Sequence, residues 1–188
     1  MEHRSADSDA PLDRVRPLIR VRQTREFTDE PVSRAELDAI ADVARWTGSS
    51  TNEQPWRFIV LAERDTLHRI AEIGLPQTRP LITATAAVAI VLPDDPAYAI
   101  SYAYDEGRAA ERILVAASAL DLGAGIAWIR TEVGAAVREL LNVPPDRRIR
   151  SLVAIGHPTA AGRRPKSGVG RARRPRAEMV FEERWPGE

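Results

Sequence analysis

Between Thr85 and Pro93 the chain reads AAVAIVL, an unbroken apolar run of seven residues. A run this short, bounded by turn-forming residues, reads as a buried strand, and a buried strand needs cover. The cover is written around it as helical periodicity. Ser33 followed by Glu36 is a capping box with Leu37, Ile40, Ala41 and Ala44 behind it, which predicts a helix over 34–46. Arg64 to Ile73 predicts another, closed by Gly74. Asp105 to Leu120 predicts a third on the face Ala110, Ile113, Leu114, Ala117 and Leu120, with Gly123 ending it. Thr131 can cap a helix whose face is Val133, Ala136, Val137, Leu140 and Leu141, stopped by Pro144. Val15, Leu18 and Ile19 suggest a short helix over 15–21, with Pro17 limiting where it begins. Trp56–Ala62 and Ser151–Gly156 read as strands, and GAGIAWI (123–129) as a loop running into a short extended piece. Helices interleaved with three or four strands predict an α+β fold, a small mixed sheet sandwiched by helices.

Composition narrows the function. With 188 residues, 44% of them apolar, the chain has material for one core. Its 27 basic and 27 acidic residues cancel, so no overall field draws it to nucleic acid or to anionic lipid. There is no cysteine, which removes disulfides, thiolate nucleophiles and thiolate metal sites. The histidines His3, His68 and His157 have no metal-ligand spacing, so no metal is expected. The start MEHRSADSDAP has no apolar signal core, and the longest apolar run is too short to span a bilayer, so a cytoplasmic location is expected.

No dinucleotide fingerprint, phosphate-binding loop or nucleophile elbow is present. The candidate site residues lie scattered instead. Arg22 and Arg25 lie three apart and can point the same way if the segment is helical or turned; the plain alternative is an exposed charged helix end. GRRPKSGVGRARRPR, with seven basic residues, cannot build a core, so residues 161–188 are expected to form an arm. Its Arg171 and Arg173 alternate and reach one face if extended; otherwise the segment is a solvated tail or a non-specific nucleic-acid patch. Gln77 precedes the buried strand, where a glutamine is usually loop surface, and a tryptophan placed like Trp128 is more often a core anchor than a cofactor contact. TGSSTNEQPWRF (47–58) gathers neutral donors and acceptors at the mouth of a strand, which turn chemistry alone can also explain.

Taken in order, REFTDEPV, SSTNEQPWRFIVL, GAGIAWI, SLVAIGHP and the basic arm resemble the FMN-dependent nitroreductase family over roughly residues 15–185. The resemblance implies a tail over 1–11, an FMN-binding domain over 12–160, and a C-terminal arm over 161–188 that wraps the partner of a homodimer. It also implies an FMN phosphate held by Arg22, Arg25, Arg171 and Arg173, with Gln23 donating where serine is common in the family and Val21 standing where an arginine is common. Gln77 matches the residue at the polar edge of the flavin, and a main-chain N–H near Trp128 or Ile129 would face flavin N5. Ser49, Ser50 and Asn52 would contact the flavin from the other subunit, while Pro55 and Trp56 set the turn and anchor the strand.

The implied activity is ping-pong hydride transfer from NADH or NADPH to a nitroaromatic or quinone-like acceptor, the chemistry being carried by the flavin. The segment PDDPAYAISYAY (93–104) is short for the family, which makes the acceptor pocket shallow or lined by Tyr98, Tyr102 and Tyr104. A flavin-sequestering protein with little turnover is the competing reading. A nucleic-acid module is a third, opposed by zero net charge and few aromatics near the arm.

Overall fold

The computed structural model describes residues 11–164 and 173–185. Five helices and four strands alternate along them: α1 (Pro11–Arg20), α2 (Arg34–Arg45), β1 (Arg57–Leu61), α3 (Arg64–Gly74), β2 (Ala86–Pro93), α4 (Ala99–Ala119), β3 (Gly123–Trp128), α5 (Thr131–Leu140) and β4 (Arg147–Gly156). The strands form one sheet in the order β1-β2-β4-β3, each neighbour antiparallel. A parallel bridge between Gln23 and Ala124 lies against the outer edge of β3.

The central strand shows why this is a sandwich. Along β2, Ala86, Val88, Ile90 and Leu92 join α2 and α4 in one apolar cluster, whereas Ala87, Ala89 and Val91 join α3 and α5 in the other. Side chains of a strand point alternately to its two faces, so a continuous apolar run needs a helical layer on each side. In α2, Ser33 accepts from the Glu36 N–H and Glu36 returns a bond to the Ser33 backbone, completing the capping box the sequence predicts. The alanines of α4 (Ala109, Ala110, Ala116, Ala117) are buried and let α4 approach both α2 and the sheet.

Several boundaries differ from the sequence expectation. α4 begins at Ala99, six residues before the expected Asp105, because Asp95 caps a 3-10 turn over Pro96–Tyr98 that continues directly into it. Ile100 and Tyr104 face outward there, so apolar periodicity does not register the first turns. α4 ends before Asp121, which takes the left-handed conformation (φ 58°) expected of a glycine, so Gly123 opens β3 instead of closing α4. Thr131 is the first residue of α5, and its N-cap is Arg130. GAGIAW is a strand throughout, with no loop at its start. β4 starts at Arg147, four residues early, with a bulge: Ile90 pairs with Ser151 and Val91 with Ile149, leaving Arg150 extra. Pro17 lies inside α1, not at its start.

Ile90 is fully buried at the centre of this sandwich. Truncation to alanine is expected to cost about 2–5 kcal/mol, read as a lower urea midpoint with an unchanged slope.

Candidate functional site at the open edge of β3

The segment after α1 is neither helical nor turned around Arg22 and Arg25; it runs extended beside β3. The Thr24 N–H donates to the Ala124 carbonyl at 2.7 Å, and the Ile126 N–H donates to the Gln23 side-chain oxygen at 3.3 Å. Gly125 makes this approach possible. A Cβ there would stand 2.1 Å from the Thr24 carbonyl oxygen, closer than any side chain permits. The stretch after β4 then closes over the same segment. Thr28 N–H donates to the His157 carbonyl, Thr159 N–H to the Glu26 carbonyl, and Arg22 reaches the Arg163 carbonyl at 3.4 Å.

Between these strips lies a cavity of about 800 Å³. Among the described residues, Arg20, Arg22, Arg25, Arg163, Arg164 and Arg173 line it, together with Gln23 and with Glu111 and Asp121 as the only acids. Six guanidinium groups against two carboxylates make a local positive field on a chain of zero net charge. Guanidinium is the side chain best suited to a phosphate, because its N–H groups form forked, charge-assisted bonds.

The structure thus brings Arg22, Gln23, Arg25 and Arg173 together, while Arg171 lies outside the described residues. The amide of Gln23 has its oxygen occupied by Ile126, which leaves its NH₂ as the donor end. Val21 packs against the core. Arg163 and Arg164 were not singled out from the sequence. Their signal is position: they follow Gly162 directly, and a Cβ on Gly162 would stand 2.5 Å from the Glu26 carbonyl oxygen.

Farther along the same edge the ladder alternates. Ile129 donates its N–H inward to the Arg150 carbonyl at 2.8 Å, so the preceding N–H, that of Trp128, is turned to the open side. Trp128 is 44% exposed, with the Arg150 guanidinium 5.0 Å from its ring centroid. Ile129 itself is buried.

Ser49, Ser50, Asn52 and Gln77 do not line the arginine cavity. Ser49 Oγ accepts from the Gln54 N–H, and Thr51, Asn52 and Gln54 all take positive φ, so the loop is a tight scaffold presenting Ser50 and Asn52 to solvent. Pro55 and Trp56 behind it are buried. Gln77 is exposed beside the turn Arg79–Ile82, which packs on β3. Tyr98 and Tyr102 stack at 5.7 Å on one side of the α4 start, Tyr102 in the core, while Tyr104 points away at 73% exposure. Among the described residues no cluster of acids and histidines is arranged to hold a metal.

Comparison with known proteins gives this arrangement a family. The model of the nitroreductase family matches residues 20–90. A protein of Archaeoglobus fulgidus, provisionally named NADH dehydrogenase/NAD(P)H nitroreductase, is 34% identical over 146 residues, covering 73% of this chain and 80% of that protein. The chain belongs to the nitroreductase family. A second relative of the same provisional name, from Methanothermobacter thermautotrophicus, is 31% identical over 73% of each chain. Among solved structures, an FMN-dependent nitroreductase of Clostridium difficile superposes with a TM-score of 0.77 at 22% identity over 90% of this chain and 98% of the other, which shows the shared fold. The helix-covered antiparallel sheet described above is therefore the family fold.

Behind Trp128 lies a buried acid that sequence reasoning missed. Glu106 of α4 is 5% exposed, and burial raises its carboxyl above the usual range, against the opposing effects of a Ser151 hydrogen bond and of Arg150 and Arg148. It stands among the polar first turns of α4, where no pattern marks it.

Two outcomes follow from this geometry. Gly125→Ala is expected to destabilise by about 1–3 kcal/mol and to abolish hydrogen-exchange protection of the Thr24 amide. For Glu106, a raised folded-state value means that the folded form holds the proton more tightly than the unfolded chain. Its stabilising share is complete below the ordinary carboxylate range and is lost as pH rises through the folded value. Glu106→Gln should therefore match wild type at low pH and exceed its melting temperature above that range; parallel curves would contradict it.

Proposed function

We propose that the chain is an FMN-dependent NAD(P)H oxidoreductase that works as a cytoplasmic homodimer and reduces nitroaromatic or quinone-like acceptors. The observation that carries this reading is the division of labour along one strand edge. The arginine cavity sits at Ala124, and the outward N–H of Trp128 lies four residues farther along the edge, roughly 13 Å at strand spacing. A ligand matched to both has a dianionic end and a flat end with acceptor atoms, and FMN has that form. Arg22, Arg25, Arg173 and Gln23 would hold its phosphate, with Arg20, Arg163 and Arg164 adding to the field; Arg171 is proposed to join them. The name of the Clostridium difficile structure, an FMN-dependent nitroreductase, supports the same cofactor.

When bound, the flavin supplies two-electron chemistry, taking hydride at N5 from a reduced nicotinamide and giving it to an acceptor on the same face. The chain's own residues do the rest. The Trp128 N–H would bond a ring nitrogen and orient the reacting face, while Gln77 and the Ser49, Ser50 and Asn52 loop would offer neutral partners for a polar ring edge. Neutral groups suit a ring that changes charge during turnover, and arginines suit a phosphate that does not. Tyr98 and Tyr102 are candidates for the acceptor wall.

Features of the protomer support a homodimer. α1 buries no residue, and Leu12, Val15, Leu18 and Ile19 stand exposed along it. In the arm, Met179, Val180 and Trp185 are exposed. An arm without a core of its own is ordered by another chain, and the Ser49–Asn52 loop, remote from the cavity of its own protomer, would reach the partner's flavin.

The purified protein is expected to be yellow and to bleach when NADPH or NADH is added without oxygen. Recovery of colour on adding a nitroaromatic completes the cycle. Arg22→Gln should weaken FMN binding by about 10–100-fold, the worth of one charge-assisted bond, and the wild-type affinity should fall with salt. A colourless protein that takes up no FMN would end this reading; bound flavin that neither nicotinamide reduces would favour the flavin-sequestering alternative.

A further inference from the structure

A second cavity, of about 430 Å³, opens at the far end of β3, between the first turns of α5 and the start of β4. Arg130, Arg148 and Arg150 line it, with Asp94 as the only acid lining it among the described residues. Three features make this a receptor for a negatively charged group. The first is Arg148, whose Nε and Nη2 are buried and have no hydrogen-bond partner among the described residues. These N–H groups are sealed from solvent, as is the unpartnered Oε1 of the nearby Glu106, so what Arg148 offers the cavity from its wall is its positive charge. The second is the N-terminus of α5. Its N-cap, Arg130, makes no side-chain capping bond, which leaves first-turn N–H groups and the positive end of a ten-residue helix at the cavity mouth.

The third is the charge balance around these groups. Arg130 forms no ion pair among the described residues, and Arg150 is spent on the Trp128 face rather than on a carboxylate. The remaining arginine at the rim, Arg138, is already bound to the Pro145 carbonyl at 2.7 Å. Glu106 lies behind Arg148 and Arg150, and burial favours its neutral form, which limits how far it offsets them. Arg150 also ties the cavity to the open edge of β3, since it contributes to the wall on one side and covers Trp128 on the other.

We propose that this cavity binds the oxyanion, a carboxylate or a phosphate ester, of a reaction partner whose reacting end lies beside Trp128. This rests on the flavin reading above and extends it to substrate class: the enzyme prefers an anionic partner. The oxyanion has two sources, a carboxylate on the acceptor or the additional phosphate that distinguishes NADPH from NADH.

The test uses the flavin-loaded full chain, with 4-nitrobenzoate and its uncharged counterpart 4-nitrobenzamide as acceptors and with NADH and NADPH as donors. Arg148→Gln is compared with wild type, and Arg130→Gln, at an exposed position, serves as a variant that leaves the fold intact. The expected result is a KM about 10-fold or more higher for the anionic member of one pair, with kcat and the uncharged or less charged member unchanged. A rise confined to 4-nitrobenzoate assigns the site to the acceptor, and a rise confined to NADPH assigns it to the donor. Equal changes for all four compounds, or none, overturn the proposal. Benzoate binding is read separately as a shift in melting temperature, with or without flavin. It should stabilise wild type and not the two variants; equal shifts in all three overturn the site. A colourless protein still stabilised by benzoate through Arg148 would remove the flavin reading and keep the cavity, whereas an active yellow protein indifferent to charge would do the reverse.

Discussion

The hydrogen bond from the Thr24 N–H to the Ala124 carbonyl organises the chemistry of this chain. β3 is an edge strand, and an uncovered edge offers unpaired backbone groups to any other strand. Here the chain covers half of that edge with its own 23–24 segment and leaves the Trp128 half open. The approach needs Gly125, because no side chain fits against the Thr24 carbonyl. Once Thr24 is seated, Arg22 and Arg25 are carried to the end of α4, and the post-β4 stretch bonds down over Glu26, bringing Arg163 and Arg164 with it. A few backbone contacts thus gather side chains about 140 positions apart in sequence.

Charge is segregated rather than absent. The total is zero, yet the charged residues lining both cavities flanking β3 are chiefly arginines, and the stretch between them offers neutral backbone and an aromatic ring. Concentrating like charge opposes folding through mutual repulsion, a cost that a bound anion removes. The same separation explains how a chain of zero net charge can hold strongly anionic ligands and remain without an overall field toward nucleic acid.

The layered architecture was legible because its signals are local. AAVAIVL specified a strand covered on both faces, and Ser33 with Glu36 specified the start of α2 to the residue. Legibility failed where local pattern is weak. The first turns of α4 expose Ile100 and Tyr104, so they carry no apolar period, and the Arg150 bulge breaks the alternation of β4. For the site, the order of motifs resembled the family and pointed to Arg22, Gln23, Arg25 and Arg173, but the condition under which the first pair could share a direction, a helical or turned segment, is not the one the fold uses. They meet because the segment is extended along β3, not because it is turned. Arg163, Arg164, Arg148 and Glu106 carry no local signature, since their significance comes from neighbours far away in the chain.

By itself, the sequence determined the cores of most helices and strands, that both faces of β2 are covered, and that the chain has neither a thiol nor histidines at metal-ligand spacing. Periodicity, caps and composition act within a few residues, so they can be read without knowing the fold. The tertiary structure alone decided which arginines line one cavity, which backbone N–H of β3 is inward and which is open, and that the carboxyl of Glu106 is buried beside Ser151, the strand partner of Trp128. Those outcomes depend on strand register and on the distance of closest approach between remote backbones, which a glycine permits and only the assembled sheet puts to use.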